Sequence, residues 1–373
     1  MEKVKLNELA NIYLGVTHTP EYVLEGVPFL SVKDISGGKI CFDDCKYISQ
    51  EEYDSLSEGA KPKVGDMLFC RVGTLGKPII IPEGTPLFGS FVSLGYLRNR
   101  NSDRCDLNYL RYWMYSNSFW KQVNANVKGA SQINLNTGWL SKFYIDLPGI
   151  AEQRYRISVL DKCKSVIEER EAELAALDDL IKARFVEMFG DPVANDKGWK
   201  TKPLLDMGKC KNGMNFHYDD SGVEISCLGV GDFKDLSVID NTKKLSIVSL
   251  NEMPSEEYLL KDGDIVFVRS NGNRDLVGRS LAIYPGNLPT TFSGFCIRYR
   301  IHDDEITVPY LLRVLKMESM RKKMAGRGAN IQNLNQQILG TLVIPVPPIE
   351  LQNQFVDFVR AIDKSKVAVL KIF

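Results

Sequence analysis

Polar and basic side chains that could bind nucleic acid occur on two kinds of predicted loop, and each kind is present twice. The first follows a predicted buried strand, where Arg71 stands in the first half and Arg269-Ser270-Asn271-Gly272-Asn273-Arg274 in the second. The second is a polar loop, Lys128-Gly129-Ala130-Ser131-Gln132-Ile133-Asn134, which corresponds to Arg327-Gly328-Ala329-Asn330-Ile331-Gln332-Asn333. Arginine, asparagine and glutamine can read base edges, while lysine, serine and glycine amides hold phosphates. These loops therefore predict a nucleic-acid surface.

The candidate binding residues are Arg71, Lys128, Ser131, Gln132, Asn134, Arg269, Ser270, Asn271, Asn273, Arg274, Arg327, Asn330, Gln332 and Asn333. Asparagine and glutamine in such loops also satisfy backbone groups, which is the alternative role. A modest basic strip in front of the polar loops favours phosphate contact, with a solvated helix face as the alternative. Its members are Lys121, Lys128, Arg321, Lys322, Lys323 and Arg327.

The sequence has no motif for a phosphate-binding loop, a dinucleotide site, a nucleophile elbow or a zinc protease. Gly73-Thr74-Leu75-Gly76-Lys77-Pro78 has the wrong spacing for a phosphate-binding loop, and a proline stands where a hydroxyl should be. Asp66 and Asp264 each follow a glycine at a turn and lack the further acidic and lysine partners of a nuclease, so they are interpreted as turn residues. We therefore expect a chain without catalytic residues.

The histidines and cysteines do not indicate a catalytic or metal site either. His217 lies near Asp219 and Asp220, which is more typical of a solvated loop than of a catalytic group. The eight cysteines are scattered, and the one close pair, Cys41 and Cys45, lacks a second pair or a histidine cluster. The sequence predicts no metal site.

The elements that would position these loops are duplicated. Gly129 matches Gly328 and Gln153 matches Gln352 in one register, because 328 − 129 = 199 and 352 − 153 = 199. Each copy shows short strands with period-two apolar patterns, one or two helices and a last strand that ends in proline. The fold class is predicted as α+β, with two duplicated domains of mixed short strands and helices.

A long helix is expected after each copy. Between Ala151 and Met188 there is no glycine or proline, and apolar residues recur every seven positions. The packing candidates are Leu160, Ile167, Leu174 and Ile181, with Phe355, Phe358, Ile362 and Val369 after the second copy. Such stripes can also pack on the protein's own core. Their equivalent places favour pairing with each other, antiparallel if a pseudo-two-fold axis relates the halves.

These patterns predict recognition domains at residues 1–149 and 191–348, a central helical spacer at 150–190 and a C-terminal helical spacer at 349–373. Lys+Arg and Asp+Glu both number 47, so the net charge is zero and a general attraction to nucleic acid is absent. No run approaches the roughly 18 apolar residues of a membrane span, and no signal peptide is evident, so cytoplasmic residence is expected.

In this order the motifs resemble the specificity subunits of type I restriction-modification systems. The most specific part is the join at which the last strand reaches proline and enters the helix. It reads Leu147-Pro148-Gly149-Ile150-Ala151-Glu152-Gln153-Arg154 in one copy and Val346-Pro347-Pro348-Ile349-Glu350-Leu351-Gln352 in the other. The helix exit Ala183-Arg184-Phe185-Val186-Glu187-Met188-Phe189-Gly190-Asp191-Pro192 also matches. The resemblance covers essentially the whole chain.

The resemblance implies a non-catalytic subunit of the phage-defence type, in which each recognition domain reads one half of a bipartite double-stranded DNA target. It implies paired helices that act as a spacer and dock methyltransferase subunits, two of them if both surfaces are complete, with restriction subunits in the full complex. S-adenosylmethionine, ATP and magnesium would be bound by those partners and not by this chain. The second helix stops at Phe373, which leaves it shorter than the first. The alternatives are a coiled-coil scaffold protein and the recognition module of a related methyltransferase system.

Overall fold

The computed structural model describes residues 1–126, 134–216, 221–233, 238–325 and 333–370. The chain divides into two compact units, Met1–Glu169 and Arg170–Phe373. The candidates Lys128, Ser131, Gln132, Arg327, Asn330 and Gln332, and also His217, lie outside the described residues. The mixed α+β class is confirmed by the strands and helices that follow.

The first unit contains ten strands among its described residues. They are β1 (Glu2–Lys5), β2 (Ala10–Leu14), β3 (Tyr22–Val23), β4 (Val27–Leu30), β5 (Lys46–Ile48), β6 (Met67–Cys70), β7 (Gly76–Ile80), β8 (Gly89–Ser90), β9 (Leu94–Asn99) and β10 (Tyr144–Leu147). Its helices are α1 (Leu6–Leu9), α2 (Val32–Ile35), α3 (Gln50–Ser55), α4 (Leu107–Tyr115), α5 (Asn117–Asn126) and α6 (Thr137–Leu140). The long helix α7 (Ile150–Phe189) begins in this unit and ends in the next.

The second unit has matching elements. Its strands are β11 (Thr201–Pro203), β12 (Gly208–Asn212), β13 (Val223–Leu228), β14 (Val238–Ile239), β15 (Ser246–Leu250), β16 (Asp264–Val268), β17 (Ser280–Ile283), β18 (Thr290–Phe292), β19 (Cys296–Ile301) and β20 (Val343–Pro345). The helices are α8 (Val308–Lys316), α9 (Glu318–Ala325), α10 (Gln336–Gly340) and α11 (Ile349–Leu370).

The main sheet of each unit has the same strand order. In the first it is β2-β9-β6-β7, and in the second it is β12-β19-β16-β17 with β14 added in parallel at the edge. The strands β6 and β16 lie inside these sheets, and every residue of Met67–Cys70 and of Asp264–Val268 is buried. Both faces of these strands are covered, which explains why they read as continuous apolar runs and not as alternating ones. The duplicated sequence thus forms a duplicated sheet.

A smaller sheet accompanies each main sheet. Its order is β3-β5-β4-β8 in the first unit and β15-β13-β18 in the second. In both, the last pair is parallel, with Phe29 opposite Gly89 and Cys227 opposite Thr291. A two-stranded ribbon, β1 with β10 or β11 with β20, joins the first strand of each unit to the strand that leads into α7 or α11.

The glycine–aspartate turns before β6 and β16 have a second role. Gly65 and Gly263 both adopt φ of 84°, a left-handed conformation that suits glycine. The next residue, Asp66 or Asp264, accepts a backbone hydrogen bond from Lys63 or Lys261. Each carboxylate also accepts two hydrogen bonds from an arginine on the neighbouring strand. These aspartates are turn residues, as the sequence predicts, and also ion-pair partners.

Within the second unit, the end of α7 packs antiparallel to α11. Asp178 on α7 accepts a hydrogen bond from Lys366 at 2.6 Å, while the Phe185 ring lies 5.4 Å from the Phe355 ring. Rising residue numbers on one helix therefore meet falling numbers on the other. Phe185, Phe189 and Phe355 are fully buried in the largest hydrophobic core of this unit. The predicted antiparallel pairing is confirmed for this part of the helices.

The first half of α7 is covered much less. Val159, Leu160, Val166 and Ile167, which share one helix face, are each between 41 and 47% exposed. We call these four residues the exposed stripe. Their counterparts in the repeat register are Phe358, Val359, Ser365 and Lys366, and the first two of these pack against the core of the second unit.

Among the described residues, no helix is long and apolar enough to span a bilayer.

Candidate nucleic-acid interface

In the first unit, the structure brings the strand-end loop and the polar loop together at Arg71. The backbone oxygen of Arg71 accepts a hydrogen bond from the Leu135 N–H at 3.0 Å, and its Nε donates back to the Leu135 oxygen at 3.0 Å. Its Nη1 also donates to the Val92 oxygen at 2.7 Å. Asn134, the exposed residue before Leu135, is therefore held beside the end of β6.

The same arrangement occurs in the second unit around Arg269. The Leu334 N–H donates to the Arg269 oxygen at 2.7 Å, and Ser270 forms an isolated β-bridge with Asn333. The Arg269 guanidinium donates to the Gly294 oxygen at 3.3 Å. Two candidate groups that lie more than sixty residues apart in the sequence are thus neighbours in both units.

The two arginines have structural roles as well as charge. Burial lowers the pKa of Arg71, but an arginine with a lowered pKa still carries its charge near neutral pH. Both guanidinium groups hold backbone oxygens of the adjoining loops. Their expected contact with DNA stays a prediction. It would use the guanidinium N–H groups that do not bond to these backbone oxygens.

The asparagines of the second strand-end loop also form local hydrogen bonds. The side-chain oxygen of Asn271 accepts from the Asn273 N–H at 2.7 Å, and that of Asn273 accepts from the Asp275 N–H at 3.0 Å. These two turns fix the loop as it leaves β16. They correspond to the alternative role considered from the sequence, and a side-chain amide that is fixed in this way can still donate to a base.

A compact group of basic residues in the second unit extends the predicted strip. It consists of Arg279 before β17, Arg313 and Lys316 on α8, and Arg321 on α9, and we call it the basic cluster. Burial, followed by the charges of Arg313, Arg279 and Arg321, lowers the pKa of Lys316 to about 8. Arg321 also donates to the Asp275 and Val277 oxygens at 3.3 and 3.2 Å. The cluster concentrates positive charge on the helix that leads into residues 326–332.

The first unit has aromatic residues at the corresponding helix positions. The helices correspond with an offset of 308 − 107 = 201, so Tyr115 and Trp120 stand where Lys316 and Arg321 stand in the second unit. The two units therefore differ in charge at one place while they share a fold. Arg321 belongs to the basic strip that the sequence predicts. Arg279, Arg313 and Lys316 do not, although Arg313 and Lys316 lie three positions apart on a predicted helix and so share a face.

The described residues contain no group of three or more histidine, cysteine, aspartate or glutamate side chains that could hold a metal ion. Asp66 and Asp264 are engaged by Arg98 and Arg300, with shortest nitrogen–oxygen distances of 2.8 and 2.7 Å. His302 lies beside the Asp206 backbone oxygen, and His18 lies near Glu52. The geometry thus presents polar loops and positive charge, which suit a polyanion.

Comparison with known proteins agrees with this interpretation. Residues 196–371 match the type I restriction modification DNA specificity domain. The chain is 25% identical to the type I restriction enzyme StySPI specificity subunit of Salmonella potsdam, over 94% of this chain and 79% of that protein. The prediction that this chain is not an enzyme agrees with the relatives, which are named as specificity subunits.

Two solved structures share the fold. The type I restriction-modification S subunit of M. genitalium matches with a TM-score of 0.53 at 15% identity, covering 99% of this chain and 91% of that one. A chain from a structure on complex assembly and conformational transition of the type I R-M system gives 0.56 at 18% identity, covering 100% and 95%. By the domain matched in residues 196–371 and by the relative that it matches along nearly its whole length, this chain is similar to the specificity subunits of type I restriction-modification systems.

Proposed function

We propose that this chain reads a bipartite double-stranded DNA target, one half-site with each unit, and directs methyltransferase and restriction subunits to it. The main support for the proposal is that a strand-end loop lies beside a polar loop in both units. Arg71 lies beside Leu135 in the first unit, and Ser270 pairs with Asn333 in the second. Two similar surfaces that differ in detail are suited to two different short sequences.

The same surfaces support an assignment of the chemistry to partner subunits. The polar loops and the basic cluster offer groups that can hold phosphates and base edges. Methylation would use S-adenosylmethionine on the methyltransferase subunits, and cleavage would use ATP and magnesium on the restriction subunits. We expect two methyltransferase subunits for each copy of this chain, because the docking elements are duplicated.

The experiment is selection of a target from a random duplex library by this chain in complex with its methyltransferase subunit. A split motif is expected, with each specific contact contributing about 1–3 kcal/mol of discrimination. Arg269→Ala or Asn271→Ala should alter the second half-site only, and Gln132→Ala or Asn134→Ala the first only. A change of both halves by either set would contradict the modular reading of the target.

A matched control distinguishes base recognition from phosphate contact. Lys323→Ala on the exposed face of α9 should weaken binding to all sequences alike and reduce the salt dependence by about one phosphate contact. Absence of any split motif would favour the scaffold alternative. Methyl transfer by the purified chain alone would show that it is an enzyme and would defeat the division of labour.

A further inference from the structure

One glutamine in each unit is completely buried at the beginning of the long helix. Gln153 and Gln352 both have 0% exposure and stand three residues after Ile150 and Ile349, the first residues of α7 and α11. Buried glutamine is uncommon, and a buried amide must find hydrogen-bond partners to offset its desolvation.

Both side chains form the same three backbone hydrogen bonds, and the Oε1 of Gln352 also accepts from the Thr307 hydroxyl at 3.1 Å. The Oε1 of Gln153 accepts from the Asp106 N–H at 3.0 Å, and its Nε2 donates to the Arg104 and Pro148 oxygens at 2.9 and 2.8 Å. The Oε1 of Gln352 accepts from the Thr307 N–H at 2.9 Å, and its Nε2 donates to the Glu305 and Pro347 oxygens at 2.8 and 2.9 Å. Each amide thus joins three backbone groups from two separate segments.

The positions of the joined segments show how these bonds fix the direction of the helix. Asp106 and Thr307 are the residues that precede α4 and α8, while Pro148 and Pro347 lie between the last strand and the long helix. The glutamine therefore holds the first turn of α7 or α11 against the start of α4 or α8 and against the segment that follows the last strand of the same unit. Rotation of the helix about its start would break the two bonds to the separate segment together, which are those to Arg104 and Asp106 for Gln153.

We propose that Gln153 and Gln352 are positioning residues that set the gap between the two half-sites, by fixing the angle at which each recognition domain meets its long helix. This inference rests on the proposed function. A helix of 40 residues is about 60 Å long at 1.5 Å per residue. A freedom of about 5° at one end then moves the other end by about 5 Å, which exceeds the roughly 3.4 Å between base pairs.

The test uses the whole chain with its methyltransferase subunit and duplexes that carry the selected half-sites at the native gap or at one base pair more or less. Gln153→Met keeps the side-chain volume and removes the three hydrogen bonds. We expect the preference for the native gap over its neighbours to fall about tenfold, while both half-site sequences stay the same. Gln352→Met should act in the same direction but more weakly, because α11 has 22 residues and a freedom of about 5° moves its far end by only about 3 Å. The double variant should be the least selective.

Gln122 supplies a matched control in the first unit. It also makes three backbone hydrogen bonds, with the Ser118 oxygen at 3.2 Å and with the Tyr144 oxygen and N–H at 2.9 and 2.8 Å. These bonds join α5 to β10 and do not hold α7. Gln122→Met should therefore keep the gap preference of the wild type even if it lowers the melting temperature as much as Gln153→Met does.

Gln153→Asn is a milder variant, and its gap preference is measured if Gln153→Met does not fold. An unchanged gap preference in a folded variant would overturn the proposal, and so would loss of folding by both, since the glutamine would then be required for the fold itself. Failure of the wild-type chain to select a split motif would defeat the proposed function instead. A wild-type split motif with an unaltered variant profile would defeat only the role of the glutamine.

Discussion

Asp264 and Arg300 form one of two equivalent ion pairs that hold the central strands of the main sheets together. Asp264 is 1% exposed, and both of its oxygens accept from Arg300 at 2.7 Å. The hydrogen bond to Asp264 is the largest cause of a raised pKa of Arg300, and Asp66 acts in the same way on Arg98. A two-point pair between a buried carboxylate and an arginine fixes the relative position of neighbouring strands.

Asp264→Asn should lower the free energy of unfolding of the second unit by about 3 kcal/mol, because it leaves the Arg300 charge partly buried without its partner. Urea unfolding followed by tryptophan fluorescence or circular dichroism measures the change. Asp179→Asn removes an exposed partner of Lys182 and should change stability by less than about 0.5 kcal/mol. A similar small effect at Asp264 would show that the pair contributes little.

Lys316 gives a pH-dependent prediction. Its folded pKa of about 8 lies below its ordinary value of 10.5, so the folded state disfavours the charged form. The destabilisation is complete below pH 8, where both states are charged, and it is relieved between about pH 8 and 10.5, where only the unfolded chain keeps the proton. Wild-type stability relative to Lys316→Met should therefore rise over that interval. A difference between the two proteins that stays constant with pH would contradict this.

How much of the site the sequence predicts differs between residues. The repeat register matches Leu135 with Leu334, and the N–H of each donates to the backbone oxygen of an arginine at a strand end. The register does not predict these contacts, because it relates one copy to the other and not the loops within a copy. The sequence does not show that Asp66 binds Arg98, because 32 residues separate them and neither residue type indicates a partner. Ion pairs between strands depend on sheet register, which a single sequence leaves open.

Heptad spacing predicts which face of a helix is apolar but not which element covers that face. Ile167 and Ile181 are two repeats apart on α7, yet the first is 43% exposed and the second 5%. Within the second unit, Ile181 is buried in the same core as Phe355 of α11. The expected packing of Leu160 and Ile167 stays a prediction, whereas Ile181 and Phe355 are part of the second unit's core.

The pairing of α7 with α11 depends most on Phe355. Its ring contacts Phe185 and Phe189 at centroid distances of 5.4 and 5.6 Å. Phe355→Ala should reduce the unfolding free energy of the second unit by about 3–5 kcal/mol, as loss of a buried aromatic ring usually does. Val367→Ala, at a position that is 50% exposed on the same helix, is the control and should change it by less than 1 kcal/mol. Equal effects at the two positions would contradict a core role for Phe355.

At the scale of the whole molecule, the balance of charge determines how the chain meets DNA. Lys+Arg and Asp+Glu are equal at 47, so the attraction to a polyanion has to come from local groups such as the basic cluster. The affinity of the isolated chain for DNA should therefore depend less steeply on salt than that of its complex with the methyltransferase subunit. Titrations at several salt concentrations measure both slopes, and equal slopes would show that the partner adds no phosphate contacts.

The exposed stripe on α7 affects how long this protein persists in a cell without a partner. Val159, Leu160, Val166 and Ile167 share one helix face and are 41–47% exposed. Surfaces of this kind promote self-association and capture by chaperones and proteases. Copies made in excess of a covering partner would therefore be short-lived, so the amount of this protein in a cell would follow the amount of the partner that shields the helix.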